Sequence, residues 1–429
     1  MTTRLISCLF GIIAFVFGMT SQASSINFFD YFIWDEVNDG TGVSWEARAG
    51  LQAVRIGKTF YILGGRSPKM MPLTFGDSNF YNDVWKSDDY GQSWSKVTDE
   101  LGAPWAARAY FQALTRRGFM YVLGGQDSTA IQNPDPTCGG SSPPAPCPPF
   151  ILKSTFFNDV WRSKDGVAWK QMTANAAWSG RAGLSAVVLG KWMYVVGGSV
   201  NDDSAIIGPG GPPRIYFNDV YKSTNGKKWV RVTEHAPWAP RAGAVLVTRG
   251  NHMYLLGGED GFVCNPETPR CPPYFNDVWK SSDGKNWTQL TEAADWSPRP
   301  GHQCEVLFGT FVCFGGFGLS TDPTDPFKPS NPTDVWVSHD AVHWTQVHGT
   351  GAPPWNASGP EDIKYDFAAF PVYRVNGKIQ PSIFTFGGDL ETFNPFDPLA
   401  FLKVSNDVWQ FRLPSFYFSS HSDENEDDD

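Results

Sequence analysis

Charge is scarce in this chain: Asp, Glu, Lys and Arg make up 18% of its 429 residues, and acids outnumber bases, for a formal net charge of −10. A protein that grips a polyanion by neutralising phosphates needs the opposite balance, so nucleic acid is excluded as a partner. Histidine is also sparse, with seven residues and no ligand-like spacing, and the seven cysteines include Cys8 in the leading apolar segment. No metal site and no cofactor is therefore expected. The one long apolar run, Leu5 to Met19, is too short to span a bilayer, which takes about 20 residues. No 3.6-residue apolar period persists, which excludes a helical bundle.

What is abundant is turn formers and aromatics. Gly (43) and Pro (33) are frequent, aromatics reach 15%, and hydrophobic residues 41%, too apolar for a disordered chain. The basic start Met1 to Arg4, the apolar run and Ser21-Gln22-Ala23 read as a signal peptide over residues 1–23, cleaved before Ser24. Export to the extracellular space follows as an expectation, with no membrane span in the mature chain, which is expected to be a monomer. Six cysteines remain, an even number suited to an oxidising compartment. The sequons at Asn286 and Asn356 are candidate glycosylation sites.

Self-comparison finds one cassette six times. An Arg-led apolar stretch is followed by a run ending in Gly-Gly, first at Gly64, Gly124, Gly197, Gly257, Gly315 and Gly387. Then come a variable loop and Asp-Val-aromatic at Asp83, Asp159, Asp219, Asp277, Asp334 and Asp407, and a last strand opened by a Trp such as Trp94 or Trp169. From Arg48, Arg108, Arg181, Arg241 and Arg299 to the first Gly of the pair is 16 residues each time, so the first two strands form the same tight hairpin. The last copy lacks its fourth strand, and Trp34-Asp35-Glu36-Val37 at the other end matches Trp94-Ser95-Lys96-Val97. The expected fold is all-β: a six-bladed propeller of four-stranded blades over residues 24–418, its ring closed by the N-terminal strand, with an acidic tail at 419–429.

The double glycine followed by aromatics eight or nine residues apart, Trp85 with Trp94 or Tyr221 with Trp229, resembles kelch-type propellers of the galactose oxidase/kelch superfamily. The turn Ser87-Asp88-Asp89-Tyr90-Gly91-Gln92-Ser93-Trp94 is similar to the Asp-box of sialidases, and Ser163 to Gly166 and Ser281 to Gly284 are shorter versions. The resemblance specifies a fold and says little of function, since propellers host enzymes, lectins and scaffolds. Sialidase chemistry would need an Arg triad and an early Arg-Ile-Pro, and the nearest string, Arg214-Ile215-Tyr216, lacks the Pro. Copper chemistry would need two His and two Tyr with a Cys crosslink, but the histidines have no ligand-like spacing and no Cys is free if all six pair. A mutarotase asks only for an Arg and a carboxylate in the channel.

Seventeen of the 18 tryptophans fall at repeat positions, all but Trp192, and read as wedges between blades. The leading arginines have two readings: a brace within each blade, as the kelch pattern implies, or a ring of cations at the channel mouth. In the second, Arg48, Arg108, Arg181, Arg241 and Arg299 would bind together with Asp366, in a sixth blade that puts Ser358 in the Arg register and inserts Glu361 and Asp362. The connections from strand 2 to strand 3 are long and dissimilar and share one face, where binding is expected. Arg214 and Arg270 on those loops are candidate contacts. Neighbour pairing of Cys138 with Cys147, and of Cys264 with Cys271, would staple two of the loops; Cys304 and Cys313 face each other across a two-residue turn. The tail, with six acidic groups in its last seven residues, reads as solvated, with Ca²⁺ or a cationic partner left open. The expected function is binding of an extracellular glycan or protein through the loop-rich face; the alternative is a carbohydrate-active, mutarotase-like enzyme at the channel mouth.

Overall fold

The computed structural model describes residues 27–74, 76–134, 149–201, 214–261, 272–318, 332, 334–348, 363–391 and 402–414. The signal segment, the acidic tail, Cys138, Cys147, Cys264, Cys271, Arg270, Trp355, Asn356, Ser358, Glu361 and Asp362 lie outside them.

Six four-stranded antiparallel sheets form the blades of a propeller. The inner strands are Gln52–Ile56, Gln112–Arg116, Ser185–Leu189, Val245–Arg249, Gln303–Leu307 and Ala368–Val375, for blades one to six in turn. Each pairs with the strand that ends in the double glycine, the hairpin that the constant spacing requires. In blade six the outer strand is Ile33–Asn38, paired with Val404–Arg412, so the N-terminal strand closes the ring as its sequence match implied. Phe29, Phe32 and Trp34 lock that closure, packing on Phe411.

Neighbouring blades are wedged together by tryptophan pairs. Trp45, Trp105, Trp178, Trp238 and Trp296 are each 2% exposed or less. They meet Trp94, Trp169, Trp229, Trp287 and Trp344 edge to face, at centroid separations of 5.8–6.2 Å and interplanar angles of 77–84°. That T-shaped arrangement suits the aromatic quadrupole. Four of the outer-strand partners are oriented by the Asp-box-like turns: the indole N–H of Trp94 donates to the Gly91 carbonyl (3.1 Å), that of Trp169 to Gly166 (2.8 Å), and those of Trp229 and Trp287 to Gly226 and Gly284. Ten tryptophans are thereby packing elements.

Two hairpins of the strand 2 to 3 connections rise above the ring on the loop-rich face. Gln126–Gln132 pairs with Phe150–Phe156 in blade two, and Ser199–Val200 with Ile215–Tyr216 in blade three. The opposite face carries short turns, among them Phe308-Gly309 (φ 53° and 78°) beneath the Cys304–Cys313 disulfide. Those cysteines are directly paired across the two strands, with α-carbons 4.1 Å apart. No helix among the described residues is long and apolar enough to cross a membrane.

Candidate functional site

The five leading arginines do not form a cationic mouth. Each is 0–2% exposed and turned into its own blade. In blade four, Arg241 Nη1 donates to Asp277 Oδ1 (2.5 Å) and to the Gly257 carbonyl (2.9 Å), Nη2 to Asp277 Oδ2 (2.9 Å), and Nε to the Ala239 carbonyl (3.0 Å). Phe275 stacks on the guanidinium at 3.8 Å. Arg48, Arg108, Arg181 and Arg299 repeat the fork on Asp83, Asp159, Asp219 and Asp334. The ligand-binding expectation for these arginines is therefore replaced by the brace. A guanidinium buried with its fork filled by a carboxylate has no edge to offer a ligand. Burial alone would raise the Asp334 carboxyl, but Arg299, the Trp336 side chain and a backbone N–H together hold it below its ordinary value.

Blade six uses Lys364 in this role. Its Nζ lies 2.5 Å from Asp407 Oδ1, and its backbone bridges Gly316 in blade five. The brace position is thus Lys364, not Ser358. This shifts the register so that Asp366 aligns with Gly50, Tyr110, Gly183, Gly243 and Gly301.

Those six residues close a ring of backbone hydrogen bonds around the channel mouth. Gly50 N–H donates to the Asp366 carbonyl, Tyr110 to Gly50, Gly183 to Tyr110, Gly243 to Gly183, Gly301 to Gly243 and Asp366 to Gly301, at 2.8–3.2 Å. All six have φ between 48° and 65°, the left-handed region. Glycine suits it, and Tyr110 and Asp366 each hold it at a cost of roughly 1–2 kcal/mol. Such outliers concentrate at functional sites.

Both outliers lead to a charged cluster. Tyr110 Oη accepts from Arg66 Nε (2.5 Å), and Arg66 Nη2 also donates to Asp389 Oδ2 (2.6 Å), with Glu391 Oε1 at 3.3 Å from Nη1. Arg66 follows the double glycine of blade one, and the equivalent residues are Gln126, Ser199, Glu259, Phe317 and Asp389, six different side chains around one mouth. Burial opposes the charge on Arg66, but Glu391, Tyr110 and Asp389 hold its pKa well above the ordinary value. Burial raises both carboxyls, against the pull of Arg66; the charge of Asp389 raises Glu391 further, and Asp366 adds to that. One guanidinium thus faces two buried carboxyls that resist simultaneous ionisation. Chemically the cluster offers hydrogen-bond donors and acceptors in one place, with two buried carboxyls whose pKa values are raised.

Among the other candidates, Asp366 lines the channel, and Arg214 in blade three is partly buried with its guanidinium approaching Gly261 of blade four. Asn286 is exposed on the uniform face, its Nδ2 donating to Asp283 (2.8 Å). No group of three or more His, Cys, Asp or Glu suited to a metal ion occurs among the described residues. The mouth cluster is not legible in the nearly constant column of leading arginines. The signal was in the variable column after the double glycine.

No family model and no curated protein matches the chain. Solved structures do, 377 chains in all, so the fold is widely shared. One, described as the structure of YjhT, superposes with a TM-score of 0.55 at 16% identity, covering 85% of this chain and 94% of that one. At that identity the likeness shows the six-bladed propeller alone.

Proposed function

We propose that this chain is a secreted, kelch-type propeller that binds a glycan on its loop-rich face, at the channel mouth. The observation that carries the reading is the network of Arg66, Tyr110, Asp389 and Glu391, set beside the hydrogen-bonded ring. A sugar presents adjacent hydroxyls that both donate and accept, which is what paired carboxyls, a phenol and a guanidinium complement. The kelch-type assignment is supported by the five Arg–Asp forks tied to the double glycines. The filled forks favour a binding role over catalysis by the arginine ring.

The test is a glycan array probed with the mature chain. Arg66→Ala should abolish the signal, whereas Lys285→Glu on the uniform face should leave it intact. Loss by Lys285→Glu with retention by Arg66→Ala would place binding on the wrong face. The mutarotase-like reading is favoured by one feature, the acid pair Asp389 and Glu391. It requires faster anomer exchange of a reducing sugar, followed by NMR, and loss of that acceleration in Glu391→Gln.

A further inference from the structure

The central channel encloses about 420 Å³ and is walled by the inner strands of all six blades. Six residues beyond the bracing cation these strands carry Val54, Leu114, Val187, Val247, Glu305 and Phe370. Five are apolar and one is a carboxylic acid. Across the hairpin from it stands Val312, where blades one to four place Tyr61, Tyr121, Tyr194 and Tyr254. The Glu305 carboxyl makes no hydrogen bond or ion pair with a described residue, and burial pushes its pKa up to about 8.

The groups around Glu305 leave it without a counter-charge. Tyr373 of blade six donates its hydroxyl to the Val306 carbonyl (3.1 Å). Arg249, at the end of the inner strand of blade four, is held by the His339 carbonyl and lies over Phe311. Asp366 is at the mouth, about 13 Å along the strand direction by the usual rise per residue. The remaining wall is mixed: Ala53, Ala113, Ala186, Val245 and Pro371 give an apolar strip, interrupted by the polar side chains of Gln52, Gln112, Ser185, Thr248 and Gln303. An anion would be repelled by the carboxylate. A divalent metal would need about six oxygen ligands, and one carboxylate supplies at most two.

We propose that the channel binds a small monoalkylammonium ion, its ammonium group on the Glu305 carboxylate and its alkyl chain along the apolar strip. This site is separate from the mouth cluster and does not depend on the glycan reading. Because the ammonium ion needs the ionised acid, affinity should fall about tenfold per pH unit below 8.

The probe is n-butylammonium chloride, titrated calorimetrically into the full mature chain at pH 9 and pH 6, with n-butanol as the uncharged control. Expected are saturable binding at pH 9, roughly 100-fold weakening at pH 6, and no binding of n-butanol at the same concentrations. Glu305→Gln and Glu305→Val should both abolish binding. The second places the residue that blades three and four already hold, so the sheet is preserved, as a thermal melt will verify. Arg66→Ala should leave the titration unchanged, which separates this site from the mouth. Equal binding of n-butanol, retention by a folded Glu305→Val variant, pH-independent affinity, or no binding at pH 9 each overturns the proposal.

Discussion

Lys364 Nζ sits 2.5 Å from Asp407 Oδ1 in the place where the other five blades set an arginine fork on an aspartate. The substitution keeps the charge and gives up the fork. Asp407 accepts from the Trp409 indole (2.8 Å), as Asp83, Asp159 and Asp277 accept from theirs, and in addition from the Ser405 hydroxyl. Blade six is also the blade closed by the N-terminal strand and the one that supplies Asp366, Asp389 and Glu391 to the mouth. Its departure from the repeat thus coincides with the asymmetric chemistry of the site.

That difference sets an order of stabilities. Arg241→Met leaves Asp277 and the Gly257 carbonyl without their cation, and should cost about 3–5 kcal/mol, the usual penalty for breaking a buried pair. Lys364→Met should cost less, because it breaks one ammonium contact where Arg241→Met breaks a two-pronged fork, and because Asp407 keeps the Ser405 hydroxyl besides an indole donor that Asp277 also has. Urea unfolding of both variants at pH 7 checks the order, and equal losses would mean that the fork carries no extra stability.

Ring closure predicts a sharp failure on truncation. Removing residues 27–38 takes away the outer strand of blade six together with Phe29, Phe32 and Trp34, and exposes the edge of Val404–Arg412. Loss of cooperative unfolding or aggregation is expected in light scattering and thermal melts. A well-behaved truncated monomer contradicts it.

Glu305 gives a pH signature. Its folded pKa, about 8, lies above the ordinary 4.5, so folding favours the protonated acid. The associated stability is fully present below about pH 4.5 and is lost as pH rises toward 8, at up to about 1.4 kcal/mol per pH unit. Urea midpoints measured from pH 5 to 8 should show a decline that Glu305→Val removes.

His302 has the opposite sign. Its ring is 2% exposed, neither nitrogen reaches a hydrogen-bond partner of good geometry, and burial followed by Arg299 lowers its pKa from 6.5 to about 3. Folding favours the neutral ring, so its contribution is present above pH 6.5 and is lost as pH falls toward 3. Blades one and three hold Leu51 and Leu184 at this position. His302→Leu should raise stability by about 1–3 kcal/mol at pH 7, the cost of an unsatisfied buried polar group. The gain should be larger at pH 5, as read from thermal melts at the two pH values.

The sequence by itself determined the six-bladed ring, the hairpin register, the N-terminal closure, the wedge role of the tryptophans and the facing of Cys304 and Cys313. All of these follow from spacing that repeats, because identical blades must bury identical faces against one another. What only the tertiary structure decided is where side chains of equal spacing point and what they meet. The sequence favoured a brace for the arginines but left a cationic mouth open, and the choice turned on aspartates 35 to 51 residues downstream that only strand pairing brings within 2.6 Å. Lys364 was hidden because the insertion in blade six breaks the count. The ring of Gly50, Tyr110, Gly183, Gly243, Gly301 and Asp366, and the meeting of Arg66 with Asp389 more than 300 residues away, exist only once the propeller closes on itself.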